Sequence, residues 1–286
     1  MNERKFNDTA LVLMGHGTVE NDNSAAAVRQ HVAELRRRGI FAEVQEAFWK
    51  QEPRIKDVLA SISAPRVFIV PFFISEGYFA SEVIPKELGF GEHSVRLRLA
   101  SGGQSFNIPR STFIYCKPVG THDSMTGVIL ARAEEIVKQF PFPRIPKSAE
   151  VTLIIAGHGT EKNQNSRKAV DRQVELIRAK KIYADAQAVF LDESPRIAEG
   201  YLLAKTRNIV IIPFFISDGL HTQEDIPVLL GETKKNVEAR LAAGQPTWRN
   251  PTEKNEKLVW YSPAVGSAPE LAEVILERVR EASENL

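Results

Sequence analysis

The chain has 286 residues, of which 43% are apolar, so it can form one large domain or two ordinary ones, each with a buried core. Its 37 basic and 36 acidic residues leave a net charge of +1, which gives no electrostatic footprint for nucleic acid or a membrane surface. The single cysteine, Cys116, excludes a disulfide framework and an iron–sulfur cluster held by this chain, and the polar start (Met1 to Thr9) and lack of a long apolar run predict a cytoplasmic chain without signal peptide or membrane span.

The first apolar run, Ala10 to Met14, ends at glycine and predicts a buried strand. Ala27, Val28, Val32 and Leu35 recur at helical spacing and predict a helix over 23–38, with Asn23 or Ser24 as its cap. A strand over 42–48 follows, then a helix opening near Pro53, a strand over 67–71, a helix near 82–88, a strand over 112–116 and a helix over 124–139. Pro141-Phe142-Pro143-Arg144-Ile145-Pro146 breaks that helix and reads as a linker. The same order then returns: strands over 151–156, 184–190, 209–213 and 257–261, and helices over 165–180, near Pro195, near 224–230 and over 269–283, with Asn163, Asn165 or Ser166 as caps of the first. Alternating strands and helices predict βαβ units and two similar flavodoxin-like α/β modules, each a mainly parallel four-stranded sheet flanked by helices. The predicted modules are 1–146 and 147–286.

The return is a duplication. Gly15-His16-Gly17-Thr18, Pro53-Arg54-Ile55, Pro71-Phe72-Phe73-Ile74-Ser75 and Ile84-Pro85 recur 142 residues later, and residues 15–85 match 157–227 at 28 of 71 positions. A period this long marks a repeated domain and not a solenoid.

Open parallel sheets bind ligands beyond the carboxyl ends of their strands. His16 and His158 follow the first strands, Lys50 and Asp192 the second, and Phe79 and His221 lie eight residues past the proline that ends the third. The copies differ here: the second offers His158, Asp192 and His221, which can bind a divalent ion or move protons, whereas the first offers His16, Lys50 and Phe79. Structural roles suit His31, His93 and His122 better, the Phe-Phe pairs read as core, and Lys234-Lys235 reads as a solvated face. A histidine phosphatase would carry an arginine directly before its histidine, but Gly15 and Gly157 stand there. No P-loop or dinucleotide fingerprint is present.

Gly157-His158-Gly159-Thr160, Phe190-Leu191-Asp192 followed by Pro195, Ile212-Pro213-Phe214-Phe215, His221-x-x-x-Asp225-Ile226-Pro227 and the late Ser262-Pro263-Ala264-Val265-Gly266 resemble the class II chelatases, the CbiX-like sirohydrochlorin cobalto- and ferrochelatases, in their double-length form. The resemblance spans roughly 10–139 and 151–283. It implies a cleft between the modules and insertion of cobalt or ferrous iron, or nickel, into sirohydrochlorin or a close relative. It further implies that no nucleotide is hydrolysed and that the reaction serves cobalamin or sirohaem biosynthesis. By position, His158 and His221 match the family's two active-site histidines, as catalytic and metal residues, and Asp192 stands where many members have glutamate. In the first copy only His16 matches, so that copy reads as degenerate, with His16 a remnant or an auxiliary base. Lys50, Arg54, Arg196 and Arg249 are candidate contacts for the substrate's carboxylates. The expected partners are the tetrapyrrole and the divalent metal alone, with no further cofactor, in a monomer or a homodimer. The longer stretch 230–258 reads as a surface elaboration in preference to a lid. The competing readings are a non-catalytic tetrapyrrole- or metal-binding protein and another small-molecule enzyme with a histidine base.

Overall fold

The computed structural model describes residues 6–18, 23–88, 97–98, 104–108, 111–160 and 164–284. His93 and Asn163 lie outside these. Two compact units are present: residues 1–122 with 269–286, and residues 123–268.

In the first unit, β1 (Thr9–Gly15) is buried along its whole length, as an apolar strand covered on both faces must be. It is flanked in parallel by β2 (Glu43–Phe48) and β3 (Arg66–Pro71). β6 (Ser111–Tyr115) extends the parallel array beyond β3. β5 (Gln104–Ile108) and β4 (Leu97–Arg98) then continue it antiparallel, giving the order β2-β1-β3-β6-β5-β4. Helices α1 (Asn23–Arg38), α2 (Ile55–Ser61) and the short α3 (Ile84–Glu87) connect these strands, α3 being entered through a π-helical turn, Phe79–Val83. Val12, Met14, Ile55, Ile69, Ile84 and Phe113 meet in the core on one face.

In the second unit, β7 (Val151–Gly157) takes the central place, with β8 (Asp185–Phe190) on one side and β9 (Asn208–Pro213) then β11 (Lys257–Tyr261) on the other, all parallel. β10 (Thr252–Lys254) closes the edge antiparallel. Helices α5 (Asn165–Lys180), α6 (Gly200–Leu203), α7 (Ile226–Leu229) and α8 (Lys234–Ala242) belong to this unit, and a second π-helical turn, His221–Asp225, leads into α7. The predicted four-stranded parallel arrays are thus both present, each widened by antiparallel strands. α5 opens after Gln164 with no side-chain cap, so Asn165 and Ser166 stand inside its first turn and do not cap it. The side chains of Asn23 and Ser24 lie outside the described residues.

The closing helix of each copy packs in the other unit, so the structural division departs from the predicted boundary at 146/147. α4 (Met125–Gln139) lies against β9 and β11, and α9 (Leu271–Ser283) against α1 and β3. The reason is in the side chains. α9 buries Leu271, Ile275, Leu276 and Val279 in the first unit, at about 1.5–3 kcal/mol each. Its Arg278, 3% exposed, donates to the Pro118 carbonyl at 3.0 Å and to Thr121 Oγ1 at 2.6 Å. In the second unit the buried Arg132 of α4 donates to Ser267 Oγ at 3.0 Å, and Thr126 donates to Gln173 at 2.7 Å.

The 230–258 stretch has its own anchor. Trp248 is buried against Tyr261, Arg240 donates to the Thr247 carbonyl, and Asn250 exchanges both its amide bonds with the Tyr261 backbone. Among the described residues, no helix is long and apolar enough to cross a membrane.

Candidate functional site

In the order β8-β7-β9-β11 the chain runs outward from β7 to β8 and then crosses back to β9. The switch point, where the strand-end loops part and leave a crevice, therefore lies at the carboxyl ends of β7 and β9. His158 directly follows β7 and His221 follows β9, and their rings meet edge to face, 5.0 Å between centroids at 87°. Phe215 stands 6.4 Å from the His158 ring and 6.1 Å from His221. Of the two Phe-Phe pairs, Phe72 and Phe214 are core as expected, whereas the half-buried Phe215 borders the imidazoles.

Each imidazole is held by its Nδ1. His158 Nδ1 lies 2.8 Å from the Gly159 carbonyl, which can only accept, so Nδ1 carries the hydrogen. Asp192 Oδ2 is 3.2 Å from the same nitrogen. His221 Nδ1 lies 2.6 Å from Asp225 Oδ2. In the neutral form each ring therefore has its lone pair on Nε2, and among the described residues neither Nε2 has a hydrogen-bond partner. Asp192 is accordingly brought to the flank of His158 and does not stand as a third ligand beside the two rings. Among the described residues, no group of three or more histidine, cysteine or carboxylate side chains is arranged to hold a metal ion. The flanking carboxylates are about half exposed, so their energetic contribution is small and their effect is orientation.

The backbone around these side chains is built for them. Gly159 has φ +69°, and a Cβ there would meet Glu193 Cγ at 2.7 Å, so only glycine lets the chain turn its carbonyl onto His158. The Asp192 amide donates to the His158 carbonyl at 3.0 Å, tying the two loops together. Glu193 accepts from the Thr160 amide and pairs with Arg167 at 2.9 Å, while Arg167 lies over the Phe190 ring. On the other side, the Tyr261 hydroxyl donates to the Thr222 carbonyl at 2.6 Å and so fixes the π-helical turn that carries His221. Tyr115 does the same for Ala80 at 2.7 Å in the first unit. π-Turns inside helices are rare and recur at functional positions. Here one sets His221 and Asp225 on the same side of the turn.

A cavity of about 370 Å³ adjoins His221, lined by Asp192, Glu224, Asp225 and Glu238, with Lys234 paired to Glu238 at 3.8 Å. The helix α8 of the 230–258 stretch forms one of its walls. Arg196 donates to the Leu191 carbonyl at 2.5 Å and Arg54 to the Trp49 carbonyl, so both hold the loop that follows the second strand of their copy.

The first unit repeats the frame without the second imidazole and the flanking carboxylates. His16 Nδ1 lies 2.7 Å from the Gly17 carbonyl, and the Phe79 ring meets His16 edge to face at 4.6 Å and 90° where His221 meets His158. Trp49 packs on both, at 5.3 Å from His16 and 4.8 Å from Phe79. Lys50 Nζ sits 4.9 Å from the Trp49 ring, and Val83 stands where the second copy has Asp225. Burial holds the His16 imidazole below its ordinary pKa, and Lys50 adds to that, so His16 is neutral near pH 7.

Asp225, Glu193, Arg167 and Tyr261 were not among the residues singled out from sequence as site candidates. For Asp225, the His-x-x-x-Asp spacing on a helical segment was the available signal.

The comparisons agree with the duplication. The model of the CbiX family matches residues 10–136 and again 152–282. A probable sirohydrochlorin cobaltochelatase of Halobacterium salinarum is 38% identical over 279 residues, covering 96% of this chain and 91% of its own. Among solved structures, a multi-domain protein of Deinococcus radiodurans, described as structurally similar to chelatases, superposes with a TM-score of 0.77 at 26% identity. That match covers 97% of this chain and 55% of the other, so the chain spans about half that protein's length. SirB from Bacillus subtilis with Fe3+ shares the fold at a TM-score of 0.65 and 19% identity, covering 97% of this chain and 96% of its own.

Proposed function

Because the chain belongs to the CbiX family, we propose that it inserts a divalent metal ion, cobalt or ferrous iron, into sirohydrochlorin without hydrolysing a nucleotide. The observation that carries this reading is the edge-to-face pair of imidazoles at the switch point, each with Nδ1 engaged and, among the described residues, Nε2 unbonded.

Insertion requires that the substrate metal shed its solvent ligands and that the macrocycle lose two pyrrole protons. In this reading the Nε2 lone pairs of His158 and His221 are the groups that take the metal or those protons. Two protein ligands are a weak hold, which suits an ion that must be handed on, whereas a closed four-ligand site retains its metal. Asp192 and Asp225 keep the rings oriented and stabilise an imidazolium when a proton arrives. The acidic lining beside His221 favours approach of a cation. Every residue given a chemical role belongs to one unit, so no second chain is needed and a cytoplasmic monomer is expected.

The test is anaerobic incubation of the protein with sirohydrochlorin and cobalt(II) or iron(II), followed by the visible spectrum. Catalytic turnover is expected, and His158→Ala and His221→Ala should each lower kcat/KM by about 100-fold or more. Stoichiometric binding without turnover would overturn the enzymatic reading in favour of a binding protein. Wild-type rates in both variants would overturn the site.

A further inference from the structure

The first unit has kept a shaped site around His16 while losing the second imidazole and the carboxylates that flank the imidazole pair of the second unit. Opposite Asp192, Glu193, His221 and Asp225 it carries Lys50, Gln51, Phe79 and Val83. The geometry has nonetheless been preserved. The edge-to-face contact is within a few degrees of that in the second unit, the histidine is again held by the carbonyl of the following glycine, and the π-helical turn is again fixed by a buried tyrosine. Phe79 and Trp49 are half-buried, and the neighbouring Tyr78 is 61% exposed, so the aromatic cluster is not sealed in the core.

Resting on the insertion reading above for the identity of the macrocycle, we propose that the first unit binds a tetrapyrrole that already carries its metal, with His16 Nε2 as the single axial ligand, Trp49 and Phe79 as the aromatic wall against the ring, and Lys50 as the counter-charge to a peripheral carboxylate.

The donor count is the argument. One imidazole, with the nearby Glu87 carboxylate accepting from Trp49 Nε1 at 3.3 Å and not flanking His16, is a poor site for a free divalent ion, which needs several donors. A metal already in a macrocycle has its four equatorial nitrogens and lacks only an axial ligand, and one histidine supplies that, as in haem proteins. The His16 hydrogen bond to Gly17 places the ring hydrogen on Nδ1 and leaves the Nε2 lone pair, which has no hydrogen-bond partner among the described residues. The neutral state of His16 keeps that lone pair available. A dative bond forms from Nε2 to the metal as an axial water leaves, with no change of oxidation state. The aromatic substitutions that spoil the site for a hydrated ion favour a large apolar ring face, and the change of Asp192 to Lys50 reverses the charge from one that suits a cation to one that suits a carboxylate.

The experiment uses the full chain carrying His158→Ala and His221→Ala, so that the second unit offers neither imidazole, with preformed cobalt(II)-sirohydrochlorin as probe. The low-spin cobalt(II) electron paramagnetic resonance spectrum is expected to show superhyperfine splitting from one axial nitrogen. Adding His16→Ala should abolish that splitting and weaken Kd by about tenfold or more, and free imidazole should restore it. His16→Gln is read in its place if the alanine variant melts early. Lys50→Glu should weaken binding while leaving the splitting in place. Splitting that survives removal of His16, or absence of binding to the double variant, overturns the proposal. Turnover of the wild-type chain on metal-free sirohydrochlorin is measured separately, so a failed insertion reading and a failed holding site give different results.

Discussion

The two histidines of the candidate site are held differently, and the difference has measurable consequences. His158 has two acceptors on Nδ1, the Gly159 carbonyl at 2.8 Å and Asp192 at 3.2 Å, whereas His221 relies on Asp225. Asp225→Asn is therefore expected to lower kcat/KM by about 10–100-fold, while Asp192→Asn has a smaller effect. Steady-state insertion kinetics across pH decide this, and a larger loss from Asp192→Asn would reverse the assignment. His16 gives a second residue-scale test. Its folded pKa lies below the ordinary 6.5 because of burial and then Lys50. As pH falls below that ordinary value, the unfolded chain takes up the proton first. Stability thus declines with falling pH through the window down to the lowered folded pKa, and it is recovered above the window. Thermal melts between pH 7 and pH 5 should show a smaller decline for His16→Phe than for wild type.

These residues also show how far the sequence could be read. His221 and Asp192 stand out because the copies differ at them, His158 because it sits between glycines at a strand end, and the same comparison contains more. Lys50/Asp192, Gln51/Glu193, Phe79/His221, Val83/Asp225 and Ala25/Arg167 all change between copies. The Glu193–Arg167 pair is replaced as a pair, by Gln51 and Ala25. Positions that lose charge together are neighbours in space. What sequence could not give is the side of each ring that a carboxylate reaches, because that depends on loop conformation. Asp192 therefore reads only as a carboxylate near the histidines, and the structure puts its Oδ2 beside Nδ1 of His158.

At the scale of elements, the strands and most helices were legible from buried apolar runs and helical spacing. The π-helical turns were not. Nothing in Phe79–Val83 or His221–Asp225 distinguishes a π-turn from an α-turn, and the hydrogen bonds that hold them come from Tyr115 and Tyr261 on a distant strand. The proline-glycine turn that follows each of those strands is equally tertiary. The Gly266 amide donates to the Phe215 carbonyl at 3.0 Å, and a Cβ on Gly266 would lie 1.9 Å from the Ile216 carbonyl oxygen. Neither atom belongs to a side chain that can turn away. Gly266→Ala is expected to destabilise the second unit by about 3 kcal/mol or more, because the backbone must move. Denaturant melts measure it, and a cost under about 1 kcal/mol would mean that the loop before His221 yields easily. The same variant should slow insertion, since that loop carries Phe215 and leads to the π-turn.

For the whole molecule, the duplication and the α/β class were readable from the repeat alone, and the exchange of closing helices was not. α4 and α9 are each amphipathic and each fit the sheet of a flavodoxin-like unit, so their patterns are satisfied in either place. The choice rests on buried anchors, Arg278 to Pro118 and Thr121 in one unit and Arg132 to Ser267 in the other. These pair residues more than 130 positions apart, which no local pattern reveals.

The exchange bears on synthesis. The second unit is one continuous stretch, 123–268, whereas the first is completed only by 269–286. During synthesis the stretch made earlier must wait, with the faces of α1 and β3 that α9 packs against uncovered, until that last helix is made. Chains truncated after residue 268 are therefore expected to protect 123–268 from protease while 1–122 is still cut, and extension through 284 should protect both. Such a chain gives chaperones their longest access to the amino-terminal copy.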